Sequence, residues 1–149
     1  MNKRRAQAKE NFSNGFNCAQ SVFLSFQEVH NIDPETAARL VTCLGGGISK
    51  TKNIFGALSG ACLAMSSKCG KKDPSEPERQ AQTYENAQNM IHTFEEEFGS
   101  TCCPVLLGYD ISIPEELDKA VEADAFQKTC QAYVQRAAEL ASEYVDDKK

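Results

Sequence analysis

The sequence predicts an all-α protein, a single-domain bundle of about five to six helices around a central helix rich in small residues. Three observations support this fold class. Apolar residues recur every three to four positions along most of the chain. Helix start and stop signals bound these segments. No alternating pattern typical of β-strands has a useful length. A chain of 149 residues favours one domain, so we expect residues 1–149 to form a single helical domain.

The predicted helices begin at recognisable capping residues. Asn17 and Asp33 are candidate N-caps, and Pro34 follows Asp33 at the first helical position. The last helix is expected to begin at Asp124. Residues 100–110 are expected to form a connection with one short apolar turn. The main predicted helices span residues 17–30, 33–44, 53–69, 75–98 and 124–145. Residues 3–12 can form a short polar helix, and residues 115–123 make one more helical piece.

Residues 45–70 are predicted to form the centre of the fold. Three glycines and a polar loop precede a stretch with small side chains at close spacing, and residues 54–68 should form the most buried helix. Glycine inside a helix costs about 1 kcal/mol relative to alanine, so Gly56 and Gly60 need a reason. Because they are four residues apart, they share one face of the helix. Close approach of another backbone is the usual reason.

The composition indicates an ordinary globular protein, with 41% apolar and 25% charged residues. The net charge is −5, and basic residues cluster only at Lys3, Arg4 and Arg5, so nucleic-acid binding has little support. The N-terminus lacks the apolar run of a signal peptide. No apolar run approaches the roughly 18 residues of a membrane span. We therefore expect a cytoplasmic protein without a membrane span.

Seven cysteines are the main chemical feature of the sequence. An odd number argues against a fully paired disulfide framework, and a reducing compartment keeps most thiols free. Metal ligation, a catalytic dithiol and inert burial all remain open. No CxxC motif occurs, which weighs against a thioredoxin-type site and against a zinc ribbon. Any shared site must therefore gather single cysteines from separate helices.

Two of the cysteine positions favour a reactive thiol. Cys18 lies just inside the N-terminus of its predicted helix, where free N–H groups and the helix dipole stabilise a thiolate. We therefore expect a lowered pKa for Cys18. Cys102 and Cys103 are adjacent, so one should point inward and the other outward. Pro104 can open a helical turn, which places Cys103 beside free amide groups as well.

The other cysteines favour a structural interpretation. Cys130 and Cys62 lie on predicted helices, where a buried free cysteine commonly behaves as a small hydrophobic residue. Cys43 and Cys69 lie near helix ends, and we expect packed or partly exposed thiols there.

Five stretches, read together, resemble the C_GCAxxG_C_C family of small proteins, which is named after its cysteine pattern. They occur in the order of the family and cover nearly the whole chain. These stretches are GFNCAQSV at 15–22, LGGGI at 44–48, FGALSGA at 55–61, FGSTCCPVLLG at 98–108 and TCQAYVQRAAEL at 129–140.

The resemblance implies four characteristic cysteines, of which three carry over to Cys18, Cys103 and Cys130. The remaining family cysteine belongs immediately before the GAxxG motif, where this chain has Phe55. Two other cysteines are candidates for a displaced fourth thiol, namely Cys62, two helical turns further on, and Cys102, beside Cys103.

The resemblance also implies redox activity, either as thiol-based catalysis at Cys18, Cys103 and Cys130 or through an iron–sulfur cluster or another thiolate-bound metal. In the metal-binding interpretation, the same three cysteines are ligands, with Cys62 or Cys102 as a further ligand. Gly56 and Gly60 would then lie beside the bound cofactor.

Members of the family tend to be encoded near transporters or oxidoreductases. The resemblance therefore implies a transporter-associated protein or an oxidoreductase as partner, and the oligomeric state stays open. The alternative is a non-enzymatic helical interaction domain, or a small-ligand-binding domain, whose cysteines are mainly structural.

Overall fold

The computed structural model of the chain describes residues 2–146, and these residues contain helices and turns but no β-strand. The prediction of an all-α fold is confirmed. None of the described helices is long and apolar enough to cross a membrane. The helical elements are α1 (Lys3–Ser13), α2 (Cys18–Leu24), α3 (Gln27–His30), α4 (Pro34–Val41), α5 (Gly45–Lys50), α6 (Gly56–Cys69), α7 (Pro77–Phe98), α8 (Cys103–Leu107), α9 (Pro114–Glu122) and α10 (Gln131–Val145).

Helix α6 lies at the centre of the fold and packs mainly against α2 and α10. Its glycines allow this packing, because a Cβ atom at Gly60 would come within 2.5 Å of the carbonyl oxygen of Ala19 in α2. The close backbone approach expected at Gly60 is therefore present. The buried residues of α6 are Gly56, Ala57, Leu58, Gly60, Ala61, Ala64 and Met65.

The predicted helix 17–30 is wrong in one respect, because the structure divides it into α2 and α3. The break falls at Ser25, whose carbonyl oxygen accepts a hydrogen bond of 2.7 Å from the buried guanidinium of Arg4. The N–H of Val29, which would bond to Ser25 in a continuous helix, bonds instead to the carbonyl of Phe26. A contact from α1 therefore replaces one helical hydrogen bond.

The last helical run begins directly after Asp124, as predicted, but it is not one regular helix. Asp124 has a φ of 53°, so its backbone is left-handed rather than that of an ordinary N-cap, although its carbonyl accepts the N–H of Lys128. Ala125 is helical, Phe126–Cys130 form a π-helical turn, and α10 follows from Gln131. The predicted helix 33–44 ends early, because α4 stops at Val41 and the 3₁₀ turn Thr42–Leu44 continues the chain.

Element α5 is a left-handed turn rather than an ordinary helix. The φ angles of Gly46, Gly47, Ile48 and Ser49 are 69°, 71°, 63° and 55°. Glycine adopts this region readily, but a β-branched residue such as Ile48 does so only under strain. The glycine run therefore does more than end the preceding helix: it reverses the chain beside the N-terminus of α6.

The segments before α6 and α8 are joined by backbone hydrogen bonds. The N–H of Phe55 donates to the carbonyl of Thr101 at 2.7 Å, and the N–H of Cys103 donates to the carbonyl of Asn53 at 3.2 Å. Ile54 and Cys102 form an isolated antiparallel bridge between these bonds. The N-termini of α6 and α8 are therefore held side by side.

Candidate functional site

Cys18, Cys103 and Cys130 line a single cavity of about 230 Å³. Cys18 is the first residue of α2, Cys103 is the first residue of α8, and Cys130 ends the π-helical turn. Each side chain is buried, with exposed fractions of 8%, 4% and 4%. The fold thus brings together three cysteines from distant parts of the chain.

The rest of the cavity wall is largely apolar. Among the residues that the structure describes, none of those lining the cavity carries a charge, and none is a histidine. The polar lining residues are Asn17 and Gln127, and two glycines, Gly15 and Gly46, complete the wall. The apolar lining residues are Phe12, Phe16, Phe55, Leu107, Ile111 and Phe126.

Cys18 is surrounded by backbone N–H groups. Its own amide and those of Ala19, Gly46 and Gly56 all act on the sulfur in the direction that favours a thiolate. These amides come from the N-terminus of α2, the left-handed turn and the N-terminus of α6. Gly56 has to be glycine at this point, since a Cβ atom there would come within 2.5 Å of Cys18 Sγ.

The prediction of a lowered pKa for Cys18 is nevertheless wrong. Burial raises the pKa of the Cys18 thiol, and the four amides only partly oppose this effect. The helix N-terminus is present as predicted, but the sulfur is buried among largely apolar side chains, and this loss of hydration disfavours a thiolate. The Cys18 thiol therefore keeps its proton to a higher pH than an ordinary cysteine does.

The other two thiols of the cavity are also less acidic than an ordinary cysteine. Burial raises the pKa of Cys103 to about 12, and the neighbouring Cys18 adds to this effect. Burial also raises the pKa of Cys130 to about 12, and Cys18 contributes more to this shift than Cys103 does. Cys18 therefore acts as a charge neighbour of both other cavity thiols.

The remaining candidate residues fall into two groups. Phe55, which occupies the position of the missing family cysteine, is 1% exposed and lines the same cavity. Cys62, Cys102 and Gly60 lie elsewhere: Cys62 is half-buried on α6, Cys102 is exposed, and Gly60 packs against α2. Burial raises the pKa of the Cys62 thiol.

The two cysteines expected to be structural also lie apart from the cavity. Cys43 is exposed. Cys69 is half-buried, and its Sγ lies 3.8 Å from the carbonyl oxygen of Tyr144.

The residues as arranged do not fit a metal centre. Within residues 2–146, no group of three or more histidine, cysteine, aspartate or glutamate side chains is placed to hold a metal ion. The cavity cysteines share a wall, but they are not gathered as a set of ligands.

Sequence reasoning missed several residues that shape this site. Gly46 was noted only as part of the glycine run and of the LGGGI stretch, yet it lines the cavity, and its N–H acts on the sulfur of Cys18. Phe12 and Phe126 come from the ends of segments whose packing no local pattern reveals. The three consecutive glycines were the available signal, because such a run permits the positive φ angles of a left-handed turn.

The fold and cavity define an all-α protein with a buried, uncharged site of three cysteines. A family model described as "Putative redox-active protein (C_GCAxxG_C_C)" matches residues 16–144. The chain therefore belongs to this family. Searches of curated proteins and of solved structures found no match.

Proposed function

We propose that the chain is a cytoplasmic thiol–disulfide redox protein whose reactive site is the three-cysteine cavity. One observation carries the proposal. Cys18, Cys103 and Cys130 come from three separate segments and line one small cavity, whereas the other cysteines lie outside it. Membership of a family described as redox-active supports this function.

Cys18 is the attacking sulfur in this proposal. Among the cavity thiols, Cys18 is the one whose sulfur is approached by backbone N–H groups of several elements, including the N–H of Gly46 in α5 and that of Gly56 in α6. Such fixed donors stabilise negative charge as it develops during a reaction. Cys18 also raises the pKa of both Cys103 and Cys130, and we propose either of these thiols as its partner.

The proposed reaction is the reduction of a disulfide substrate by two protein thiols. Cys18 loses its proton to water, and its sulfur attacks one sulfur of the substrate. The substrate S–S bond breaks, the first thiolate leaves and takes up a proton, and a mixed disulfide remains on Cys18. Cys103 or Cys130 then loses its proton and attacks Cys18, which releases the second substrate thiol. The protein gives up two electrons and ends with one disulfide.

The raised pKa values limit the rate of this exchange. The thiolate is the reacting species, and the cavity offers no carboxylate or imidazole from the described residues as a base. Exchange should therefore be slow at neutral pH and should accelerate about tenfold per pH unit below the pKa. A reduced site of this kind is stable against random oxidation.

The proposed reaction uses no metal or iron–sulfur centre, although the family resemblance implies one, because the described side chains are not arranged as a ligand set. The second candidate function is a small-ligand-binding domain with structural cysteines. It is favoured by the apolar lining of the cavity and by the raised pKa values of its thiols.

An oxidoreductase or a transporter-associated protein remains the proposed class of partner.

A stoichiometric reduction assay tests the redox proposal. The test protein keeps only the three cavity cysteines, its other cysteines being replaced by serine or alanine. Mixed at mildly alkaline pH with bis-hydroxyethyl disulfide, it should release two mercaptoethanol molecules per chain. Cys18→Ser in the same background should abolish this release, while restoring Cys62 should leave the stoichiometry unchanged. Intact cavity thiols after prolonged incubation would instead favour the ligand-binding function.

A further inference from the structure

We infer that the substrate of the three-cysteine cavity is a small, uncharged disulfide with apolar or weakly polar arms, rather than a charged peptide disulfide. This inference rests on the proposed thiol–disulfide function and assigns its substrate class. Two features of the cavity support it: its size, and the absence of charge on its described wall, which includes the rim.

The size of the cavity sets the first limit. A volume of about 230 Å³ corresponds to about eight water molecules at the density of the liquid. It lies below the range of roughly 300–1,000 Å³ typical of pockets for drug-sized ligands. A disulfide with two-carbon arms fits such a volume, whereas a disulfide between two peptides does not.

Charge sets the second limit. In the part of the chain that the structure describes, every residue lining the cavity is uncharged, and four of them are phenylalanines. A charged group entering this space would lose its hydration without gaining a partner, which is strongly unfavourable. The cavity thiols are themselves held neutral, as the raised pKa values of Cys103 and Cys130 indicate.

The two polar side chains of the wall are already engaged within the protein. Asn17 accepts a hydrogen bond of 2.9 Å from the N–H of Gln20, and its Nδ2 donates to the carbonyl of Thr42 at 3.0 Å. The Nε2 of Gln127 donates to the carbonyl of Phe12 at 3.1 Å. These groups shape the wall, and their hydrogen bonds compete with recognition of a polar ligand.

The rim of the cavity has the same character as its wall. Among the lining residues, Gly15 and Phe16 are exposed, with an exposed fraction of 38% for Phe16, and Asn17, Gly46, Phe126 and Gln127 are half-buried. A substrate would therefore enter past two aromatic rings and two amides. Lys50 lines an adjoining depression that shares Asn17, Gly46, Ile111 and Phe126 with the cavity, but it does not line the cavity itself.

A series of disulfides with similar size and different charge tests the inference. The series contains bis-hydroxyethyl disulfide, which is neutral, cystamine, which is dicationic, and dithiodiglycolate, which is dianionic. The full chain is treated with each, and oxidation of the cavity cysteines is compared by mass spectrometry with modification of exposed Cys43 in the same sample. Relative to Cys43, the neutral disulfide should react about tenfold or more faster at the cavity than either charged one.

Variants of Gln127 at the rim provide matched controls. Gln127→Lys should raise the cavity rate with the dianionic disulfide relative to the dicationic one, and Gln127→Glu should do the reverse, because each introduces a single charge at the rim. A merely structural effect would change both rates in the same direction.

The experiment tests the substrate class and the redox function separately. Equal cavity rates for neutral and charged disulfides, or faster reaction with the dianion in the unmodified chain, would overturn the substrate class while leaving the redox function intact. No oxidation of the cavity cysteines by any of the three reagents would overturn both.

Discussion

The sulfur of Cys18 lies directly against the backbone of Gly56, so that a Cβ atom at residue 56 would come within 2.5 Å of it. The same Cβ atom would lie 2.8 Å from the carbonyl oxygen of Leu44. The first residue of α2 and the first residue of α6 therefore form a packed pair, and the N–H of Gly56 acts on the sulfur. This contact links the fold of the central helix to the chemistry of the cavity.

Gly56→Ala should destabilise the protein by about 1–3 kcal/mol, because the added methyl group overpacks this contact. Part of the loss should be recovered in the double variant Cys18→Ala/Gly56→Ala, since the sulfur is then absent. Urea unfolding of the two single variants and the double variant measures this coupling energy.

Gly60→Ala is the matched control for this cycle. Its methyl group would meet the carbonyl oxygen of Ala19 rather than a cysteine. Cys18→Ala should therefore give it no comparable recovery. Equal recovery at both positions, or none at Gly56, would contradict the specific contact between Cys18 and Gly56.

Stability should fall in alkaline solution. The pKa of Cys103 and that of Cys130 are raised from an ordinary value of 9.0 to about 12 in the folded protein. Between these values the unfolded chain has released protons that the folded chain still binds, so the free energy of unfolding decreases as pH rises. Below pH 9.0 this contribution is fully present. Unfolding curves at several pH values above 8 measure how steeply the free energy of unfolding falls with pH.

The double variant Cys103→Ala/Cys130→Ala is the control, and its free energy of unfolding should fall less steeply. An equally steep fall in this variant would exclude the two thiols as the cause.

The fold class and the central helix could be predicted from the sequence, because both follow from local patterns. Small residues at close spacing identified α6, and the spacing of Gly56 and Gly60 indicated close packing. The resemblance to the family selected Cys18, Cys103 and Cys130, which the structure places on one cavity.

The acidity of Cys18 could not be predicted in the same way. Its helix N-terminus is a local feature, but its burial depends on residues of other elements, including Phe12 in α1 and Phe126 in the π-helical turn. The break at Ser25 has a similar origin, because it depends on Arg4 in another helix. Local patterns identify N–H donors and capping residues. Burial and long-range contacts decide whether the pKa of a thiol is raised or lowered, and where a helix breaks.

Arg4→Lys should destabilise the fold by about 1–3 kcal/mol, because lysine cannot reproduce the bonds of a buried guanidinium. Arg4 is 5% exposed, and its guanidinium donates hydrogen bonds to the carbonyl of Ser25 and the carboxylate of Asp146. The guanidinium carbon also lies 4.6 Å from the centroid of the Phe26 ring. Thermal unfolding of Arg4→Lys beside the more exposed Arg5→Lys checks this expectation. Similar melting temperatures for both variants and the unmodified chain would contradict it.

Phe55→Cys should place a fourth thiol on the cavity wall, at the position of the missing family cysteine. It should also reduce stability, by somewhat less than the roughly 3–5 kcal/mol typical of Phe→Ala in a core. Uptake of cobalt(II), followed by the absorption of its thiolate complex, should rise above that of the unmodified chain, which we expect to bind no stoichiometric metal.

Phe94→Cys is a suitable control for this variant. Phe94 is fully buried and stacks on Phe55, with ring centroids 6.2 Å apart, but it does not line the cavity. It should lose stability without gaining cobalt. Equal uptake by Phe55→Cys and Phe94→Cys would show that the cavity position is irrelevant to metal binding.

Disulfide mapping of the oxidised chain tests the central claim most directly. A variant retaining only Cys18, Cys103 and Cys130 is equilibrated in a graded series of bis-hydroxyethyl disulfide and mercaptoethanol, alkylated, digested and analysed by mass spectrometry. Equilibration is continued until the pattern no longer changes. The account predicts one intramolecular disulfide that contains Cys18, with the third cysteine free and alkylated after unfolding. Three free thiols under fully oxidising conditions, or a disulfide between Cys103 and Cys130 that omits Cys18, would contradict it.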